Sequence, residues 1–331
     1  NEPVAMVSGD FIFVGDVGRP DLLETAAKIQ GTMVDSARQL FHSLQATLDL
    51  PDHLQIWPGH GAGSACGKAL GAVPTSTLGY ERRTNWAFGI DDEDQFVTTV
   101  LVGQPTPPTY FARMKQVNRD GPVILGRRSV LPQMNMDTVP GAIAEGVVID
   151  VRPGAAYRLA HLPGTQSLPL IKAFTTWAGW LLDADRNVVV IAESELHAIE
   201  ARTALASVGI DRVPGWIDAT AIASHADVRS SSIGDVTAAE GMITDGRTVI
   251  DLREIGEWSG GHIPGALHHP LGRIEATLAD MPRDTPVAVH CQGGTRSGIG
   301  ASVLERMGFT DVVDLTGGYR GWKRAREGGP E

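Results

Sequence analysis

Apolar and polar positions along this chain fall into two patterns, short apolar runs of strand length and longer stretches with apolar residues at helical spacing. The first such run, Phe11-Ile-Phe-Val-Gly15, predicts a strand with Asp10 ahead of it and Gly15-Asp-Val-Gly-Arg-Pro-Asp21 behind it. Leu22, Leu23, Ala26, Ile29, Met33, Ala37, Leu40 and Phe41 then recur at helical spacing, so a long amphipathic stretch is expected from Asp21 to Leu48, with Pro20 at its start. A second strand, His53-Leu-Gln-Ile-Trp57, runs into Pro58-Gly-His-Gly-Ala-Gly-Ser-Ala-Cys-Gly67. Strand, helix and strand with polar residues at the strand ends is how an α/β enzyme builds a site.

Further on, the pattern repeats. Val148-Ile-Asp150-Val-Arg152 parallels Val249-Ile-Asp251-Leu-Arg253, and His161-Leu-Pro-Gly164 parallels His262-Ile-Pro-Gly265, both at a spacing of 101 residues. Val188-Val-Val-Ile-Ala192 with Gly209 parallels Val287-Ala-Val-His-Cys291 with Gly308 at a spacing of 99. Two domains of one fold are therefore expected, with one intervening loop of different length. The prolines of Gln104-Pro-Thr-Pro-Pro-Thr109 precede a helical stretch, Tyr110 to Val117, expected to pack on the first domain. Asp120-Gly-Pro-Val-Ile-Leu-Gly126 is the better crossing, and the serines at 230–232 open the last domain. The division is 1–120, 129–228 and 229–331.

The chemistry concentrates in Val287-Ala-Val-His-Cys291-Gln-Gly-Gly-Thr-Arg-Ser297 and the Gly300-Ala-Ser-Val-Leu-Glu-Arg-Met that follows. This predicts a buried strand, a tight loop and a helix N-terminus with Cys291 at its mouth. Backbone N–H groups of Gln292, Gly293, Gly294, Thr295, Arg296 and Ser297 can curl around the sulfur, and with the helix dipole and the Arg296 charge they favour thiolate over thiol. Two glycines and an arginine serve no packing purpose, so Cys291 reads as a nucleophile. Four residues separate Cys291 from Arg296, where a cysteine phosphatase needs five to wrap a phosphate; the shorter loop suits a single extra sulfur atom. The repeat places Ala192 opposite Cys291 and His197 opposite Arg296, with Glu193 and Glu195 where the active loop is neutral, so the 129–228 copy is expected to be catalytically silent.

Composition narrows the classes. A chain of 331 residues exceeds one ordinary core, and 42% hydrophobic with 20% charged residues fits a globular protein. A net charge of −11 without a Lys/Arg cluster argues against nucleic acid, and no apolar run of membrane-spanning length or signal peptide is visible. The two cysteines cannot form a disulfide framework, and a working thiol suits a reducing, cytoplasmic compartment.

The His290-Cys291-Gln-Gly-Gly-Thr-Arg296-Ser297 loop resembles the active-site loop of rhodaneses, which are sulfurtransferases. Val249-Ile-Asp-Leu-Arg253, Glu257-Trp258 and Gly261-His-Ile-Pro-Gly-Ala266 resemble the segments before that loop, and Gly308-Phe with Leu315-Thr-Gly-Gly-Tyr-Arg-Gly-Trp322 the segment after it. The resemblance covers about the last hundred residues. It implies that Cys291 attacks the sulfane sulfur of thiosulfate or a small persulfide, that the loop amides from Gln292 to Ser297 stabilise the bound sulfur, and that Arg296 holds the anionic donor. Sulfite, glutathione or a similar thiol would take the sulfur away. Asp251 and Arg253 are expected to brace the sheet, and His290 to be buried at a strand end rather than to act as a base.

Ser8-Gly-Asp10, Gly18-Arg19-Pro-Asp21 and Pro58-Gly-His60 resemble the C-terminal half of a metallo-β-lactamase fold, and more closely its persulfide dioxygenase branch, near glyoxalase II. The fold class expected is thus α/β: the C-terminal half of an αββα sandwich followed by two rhodanese-like domains with central parallel sheets. The resemblance implies one Fe(II) held by two histidines and an aspartate, with Asp10 as that ligand, and with His60 and Arg19 in the pocket. The family's His-x-His-x-Asp-His segment and its next ligand histidine should precede Asp10. Asn1 is not an initiator methionine and the chain opens almost directly into a strand, so the expectation is a fragment or a processed chain, metal-free as it stands unless the missing part lies elsewhere. Cys66, in a glycine-rich turn after His60, reads equally as a persulfide contact and as a small residue fitting a turn. Arg82 or Arg83 could hold a substrate carboxylate. In a parent protein with the complete metal half, the iron site would oxidise a persulfide such as glutathione persulfide to sulfite, and the Cys291 site would interconvert sulfite and thiosulfate. A sulfide-sensing scaffold and a rhodanese-fold phosphatase stand as alternatives, and a homo-oligomer is left open.

Overall fold

The computed structural model describes residues 2–25, 30–61, 71–104, 107–126 and 130–328, which gather into two units, Asn1–Asp120 and Gly121–Glu331. In the first unit the opening strand lies earlier than the apolar run suggests. β1 (Ala5–Gly9) precedes Asp10, and the run itself folds into a hairpin of β2 (Ile12–Phe13) and β3 (Asp16–Val17). The cause is glycine punctuation. Gly9 and Gly15 adopt φ of 53° and 79°, left-handed backbone that breaks a strand, and the Phe11 N–H closes a turn onto the Ser8 carbonyl at 2.9 Å. Asp10 therefore stands at the carboxyl end of a strand, not ahead of one.

The expected unbroken stretch from Asp21 is also interrupted. It forms α1 (Leu22–Thr25) and α2 (Met33–Gln45), with Gly31 at φ 78° before α2, a conformation no helix interior accepts. Chain then passes through β4 (Gln55–Pro58), β5 (Ser76–Thr77), α3 (Leu78–Thr84), α4 (Glu93–Leu101) and α5 (Phe111–Asp120). β1 and β4 are parallel neighbours and β5 runs antiparallel to β4. Ile56 on β4 faces a core of Ile12, Val17, Phe41, Leu44, Phe96 and Val100. Burial of each such side chain is worth about 1.5–3 kcal/mol. Val7 and Trp57, in register on β1 and β4, face outward and stay 81% and 47% exposed, so among the described residues only one face of this sheet is covered. No residue of α5 is buried.

The second unit holds two five-stranded parallel sheets of identical order. The first uses β6 (Gln133–Met134), α6 (Val139–Glu145), β7 (Gly146–Asp150), α7 (Gly154–Leu159), β8 (Gln166–Ser167), α8 (Phe174–Leu181), β9 (Asn187–Ala192), α9 (Glu195–Ala206) and β10 (Trp216–Asp218), in the order β6-β10-β9-β7-β8. The second uses β11 (Ser232–Asp235), α10 (Ala239–Thr244), β12 (Thr248–Asp251), α11 (Ile255–Ser259), β13 (Leu267–His268), α12 (Ile274–Thr277), β14 (Val287–His290), α13 (Thr295–Arg306), β15 (Val312–Thr316) and α14 (Gly318–Arg326), in the order β11-β15-β14-β12-β13. Val188 to Ile191 and Val287 to Val289 are continuous apolar runs because both faces of a parallel sheet are covered.

Register confirms the internal alignment at the strands: Asp150 pairs with Ile191 as Asp251 pairs with His290, so Ala192 stands opposite Cys291. At the helices it shifts. Two residues lie between Ala192 and the first residue of α9, and three between Cys291 and the first of α13. Counted within the helices, Leu196 rather than His197 matches Arg296, and His197 is half-exposed beside Glu193 at 3.9 Å. The first copy's loop is thus one residue shorter as well as lacking the thiol. The two sheets dock through polar and packing contacts: the Ser167 N–H donates to Ser302 Oγ at 3.0 Å, Arg158 Nε to Asp314 Oδ2 at 2.6 Å, and a Cβ at Gly272 would meet the Trp180 ring at 2.5 Å. Among the described residues no helix is long and apolar enough to cross a membrane.

Candidate functional site

Strand β14 carries Cys291 to the mouth of α13, where the thiol is 1% exposed. The N–H of Gly294 donates to Cys291 Sγ at 3.1 Å. Gly294 can aim it because its φ is 102°, a backbone that disfavours any side chain, and it caps α13 in that state. Ser297, fully buried in the first turn, donates its hydroxyl to the Gly294 carbonyl at 3.2 Å. From the other side, α14 delivers two donors to the loop: the Tyr319 N–H to the Cys291 carbonyl at 2.7 Å and the Arg320 N–H to the Gln292 carbonyl at 3.2 Å.

The charged residues around this loop are tied to one another. Arg296 forms a two-pronged pair with Glu257, at 2.6 and 2.7 Å, instead of standing free for a donor. Burial would push Glu257 up, but the Arg296 pair outweighs it and holds the carboxyl below its usual range. Burial likewise pulls Arg296 down, and Glu257, with the nearby Cys291 sulfur, more than restores it. Glu254, one turn away, is pushed up by burial and capped into α11 by a reciprocal bond with Glu257. Arg253 donates to both oxygens of buried Asp251, to Gln292 Oε1 at 3.2 Å and to the Gly261 carbonyl at 2.8 Å, and lies 4.0 Å over the Tyr319 ring. It braces the sheet and fixes Gln292. The first copy keeps the same brace, with Arg152 on Asp150 and on the Ala160 carbonyl.

His290 is fully buried with Nε2 3.6 Å from Asp251, and burial pushes its pKa down. That lowered pKa makes the imidazole a weaker proton acceptor. Glu257 gives the site a pH signature. Its carboxyl is held low when folded, so its contribution to stability is complete above the unfolded carboxylate range and is lost as pH falls through the folded value. Half-burial keeps the effect small. Glu257→Gln is expected to melt about 2 °C below the parent at pH 7, and thermal melts at descending pH should show that gap closing below the ordinary carboxylate range. A gap independent of pH would mean the pair contributes nothing.

In the first unit, adjacency of β1 and β4 brings Asp10 and His60 together, with His60 Nε2 2.9 Å from Asp10 Oδ1 and the imidazole 4.8 Å from the Phe13 ring centroid. His60 Nδ1 is buried without a hydrogen-bond partner. No group of three or more metal-ligating side chains occurs among the described residues. One carboxylate and one imidazole do not fit the two-histidine, one-carboxylate set that non-haem iron takes, so these residues alone do not make an iron site. Arg19 is turned inward: its side chain is 1% exposed and paired with Asp21 at 2.6 Å, bracing the turn rather than facing a substrate. Gly18 holds that turn, since a Cβ there would meet the Asp10 carbonyl at 1.9 Å. Of the two arginines that could hold a substrate carboxylate, Arg82 is paired with Asp52 at 2.7 Å and donates to the Thr47 and Leu50 carbonyls. Arg83 is largely exposed near the same Asp52. Cys66 lies outside the described residues.

Comparison with known proteins bears on each part. The family model for the rhodanese-like domain matches residues 235–325. Thiosulfate sulfurtransferase GlpE of Pseudomonas fluorescens is 34% identical over 85 residues, which are 26% of this chain and 78% of that one. The chain belongs to the rhodanese family. The uncharacterized protein YqhL of Bacillus subtilis is 39% identical to this rhodanese over 74 residues, 22% of this chain and 59% of that one, so less than two thirds of that relative is spanned. A solved metallo-beta-lactamase from Staphylococcus aureus is 42% identical with a TM-score of 0.59, covering 66% of this chain and 60% of that one. That share exceeds either unit alone, so the likeness draws on both. The architecture is the C-terminal half of a metallo-β-lactamase fold joined to two rhodanese-like domains.

Three parts of the rhodanese site were not foreseen from the sequence. Glu257 belongs to the Glu257-Trp258 segment of the resemblance, and its spacing of three from Glu254 carries a capping signal, but nothing in the sequence marks it as the partner of Arg296. Tyr319 and the N–H groups of α14 act through backbone placement, which side-chain types do not reveal. Arg158, from the silent copy, donates to the Gly294 carbonyl at 2.7 Å, a contact across 136 residues with no local signature.

Proposed function

We propose that this chain is a sulfurtransferase that carries sulfane sulfur on Cys291. The observation that supports it most directly is the Gly294 N–H on Cys291 Sγ at the mouth of a 12-residue helix, with Arg296 in the helix's first turn. Cys291 thiolate attacks the outer sulfur of thiosulfate. A bond forms between the two sulfurs, the bond to the sulfonate group breaks, and sulfite leaves with the electron pair. The product is an enzyme persulfide whose terminal sulfur carries the negative charge. A second nucleophile, sulfite or a small thiol such as glutathione, then takes that sulfur and returns the thiolate. Helix dipole and loop amides stabilise the anion in both states. Because Glu257 occupies two prongs of Arg296, an anionic donor shares the guanidinium with it or displaces it.

The spacing of four residues between Cys291 and Arg296 speaks against a phosphatase. For the first unit nothing is assigned beyond the paired Asp10 and His60 side chains. Persulfide oxidation on Fe(II) would require two histidines beside Asp10, and among the described residues His60 alone is brought to it, so no step is assigned to a metal. Function in a reducing, cytoplasmic compartment follows from the need for a free thiol.

The test is intact mass after brief exposure to thiosulfate. Gain of one sulfur atom, reversed by sulfite, supports the cycle; no gain with thiosulfate or with a small persulfide overturns it. Cys66→Ala alongside shows whether that thiol takes any part.

A further inference from the structure

One side chain of the first copy, that of Arg158, hydrogen-bonds the catalytic loop. Arg158, on α7, uses two arms of one guanidinium: Nε donates to Asp314 Oδ2 at 2.6 Å and Nη2 to the Gly294 carbonyl at 2.7 Å. Asp314 lies on β15 and is fully buried. Burial pushes its carboxyl up, while Ser297 and Arg158 act against that. Gly294 is the residue whose own N–H reaches Cys291 Sγ, in a left-handed conformation that needs holding. The path for the guanidinium is kept open by Gly298 in the first turn of α13: a Cβ there would lie 2.8 Å from Arg158 Nη2 and 3.3 Å from Asp314 Oδ2. A glycine inside a helix is unfavourable relative to alanine, and here the space it leaves is filled by an arginine of the other copy.

We infer that Arg158 is a positioning residue, by which the silent domain holds Gly294 in the orientation that turns its N–H on the Cys291 sulfur. The silent domain is then part of the active site's framework rather than a spacer. A rigid planar fork suits the task because it fixes the carbonyl relative to a buried carboxylate on the neighbouring strand; a lysine carries the charge but not the fork. The inference rests on the sulfurtransferase reading only for its turnover readout, since the orientation of the loop is also sensed by simple alkylation of Cys291.

The experiment uses the full chain with Arg158→Met, Arg158→Lys and Gly298→Ala. Two rates are followed: single-turnover sulfur loading from thiosulfate, and alkylation of Cys291 by iodoacetamide at fixed pH. Arg158→Met is expected to lower the loading kcat and the alkylation rate about tenfold, with the donor KM changed less than about twofold. Arg158→Lys restores the melting midpoint by keeping the Asp314 pair, but not the two rates. Gly298→Ala favours the helix by propensity and still slows both, because its methyl group displaces the guanidinium. Unchanged alkylation in Arg158→Met and Gly298→Ala, or full recovery of both rates by lysine, overturns the inference. Should the parent protein fail to load sulfur at all, the sulfurtransferase reading falls and the alkylation comparison still decides the role of Arg158.

Discussion

Cys291→Ala is expected to fold as the parent does and to lose sulfur transfer by at least about a thousandfold, because the thiol that carries the covalent sulfur in the proposed cycle is gone. The thiol is buried and small, so exchanging it for a methyl group leaves little void, and the stability cost should stay near about 1 kcal/mol. Two measurements separate the effects. Intact mass after thiosulfate should show no added sulfur in the variant while a thermal melt shows a midpoint close to the parent's. Retained transfer at more than a few percent would remove Cys291 from the mechanism, and with it the proposed cycle.

The second large effect is predicted at a residue with no chemistry. Gly318 opens α14 at φ 60°, and a Cβ there would sit 2.6 Å from the Cys291 carbonyl oxygen and 2.6 Å from the Gln292 carbonyl carbon. Both are backbone atoms of the catalytic loop, with no rotamer to yield. Gly318→Ala must therefore push the loop and α14 apart, breaking the Tyr319 and Arg320 N–H contacts that hold it. Sulfur loading should fall about a hundredfold, and the unfolding midpoint should drop by an amount reflecting about 3 kcal/mol. Gly246→Ala is the control: its φ is 88° but nothing lies within 4 Å of a Cβ, so it bears only the conformational cost of about 1 kcal/mol. If the two variants behave alike in stability and activity, the close approach of α14 to the loop is not what shapes the site.

What the sequence made legible follows from which forces are local. Val287 to Cys291 read correctly as a buried strand ending in a thiol, because a parallel strand covered on both faces is apolar throughout. The Asp-Arg pairs at 150/152 and 251/253 were visible as repeats, and both prove to be buried braces. The hairpin at Phe11–Val17 was misread as a strand because its apolar content is that of a strand, and only the backbone state of Gly9 and Gly15 breaks it. Arg296 was expected to hold the anionic donor, and sequence distance hides its pairing with Glu257, 39 residues earlier. Sequence likewise hides the partners of Arg19, placed in the pocket by the resemblance, and of Arg82, one of two arginines that could hold a carboxylate: each shows its charge, but not the Asp21 or Asp52 that answers it.

Two copies of one strand order in a single chain pose an assembly problem, since a strand of either copy suits the other's sheet and tandem repeats misassemble by that route. The contact between Arg158 and Asp314 is one-directional. By the spacing of the repeat, the counterpart of Arg158 is Ser259, and by strand register the counterpart of Asp314 is Trp216. Were the copies to exchange places, Asp314 would lose its cation and Ser259 would meet an indole. Divergence of the silent copy thus does more than remove a thiol: it labels the two halves, so that only one order of docking leaves no buried charge without a partner.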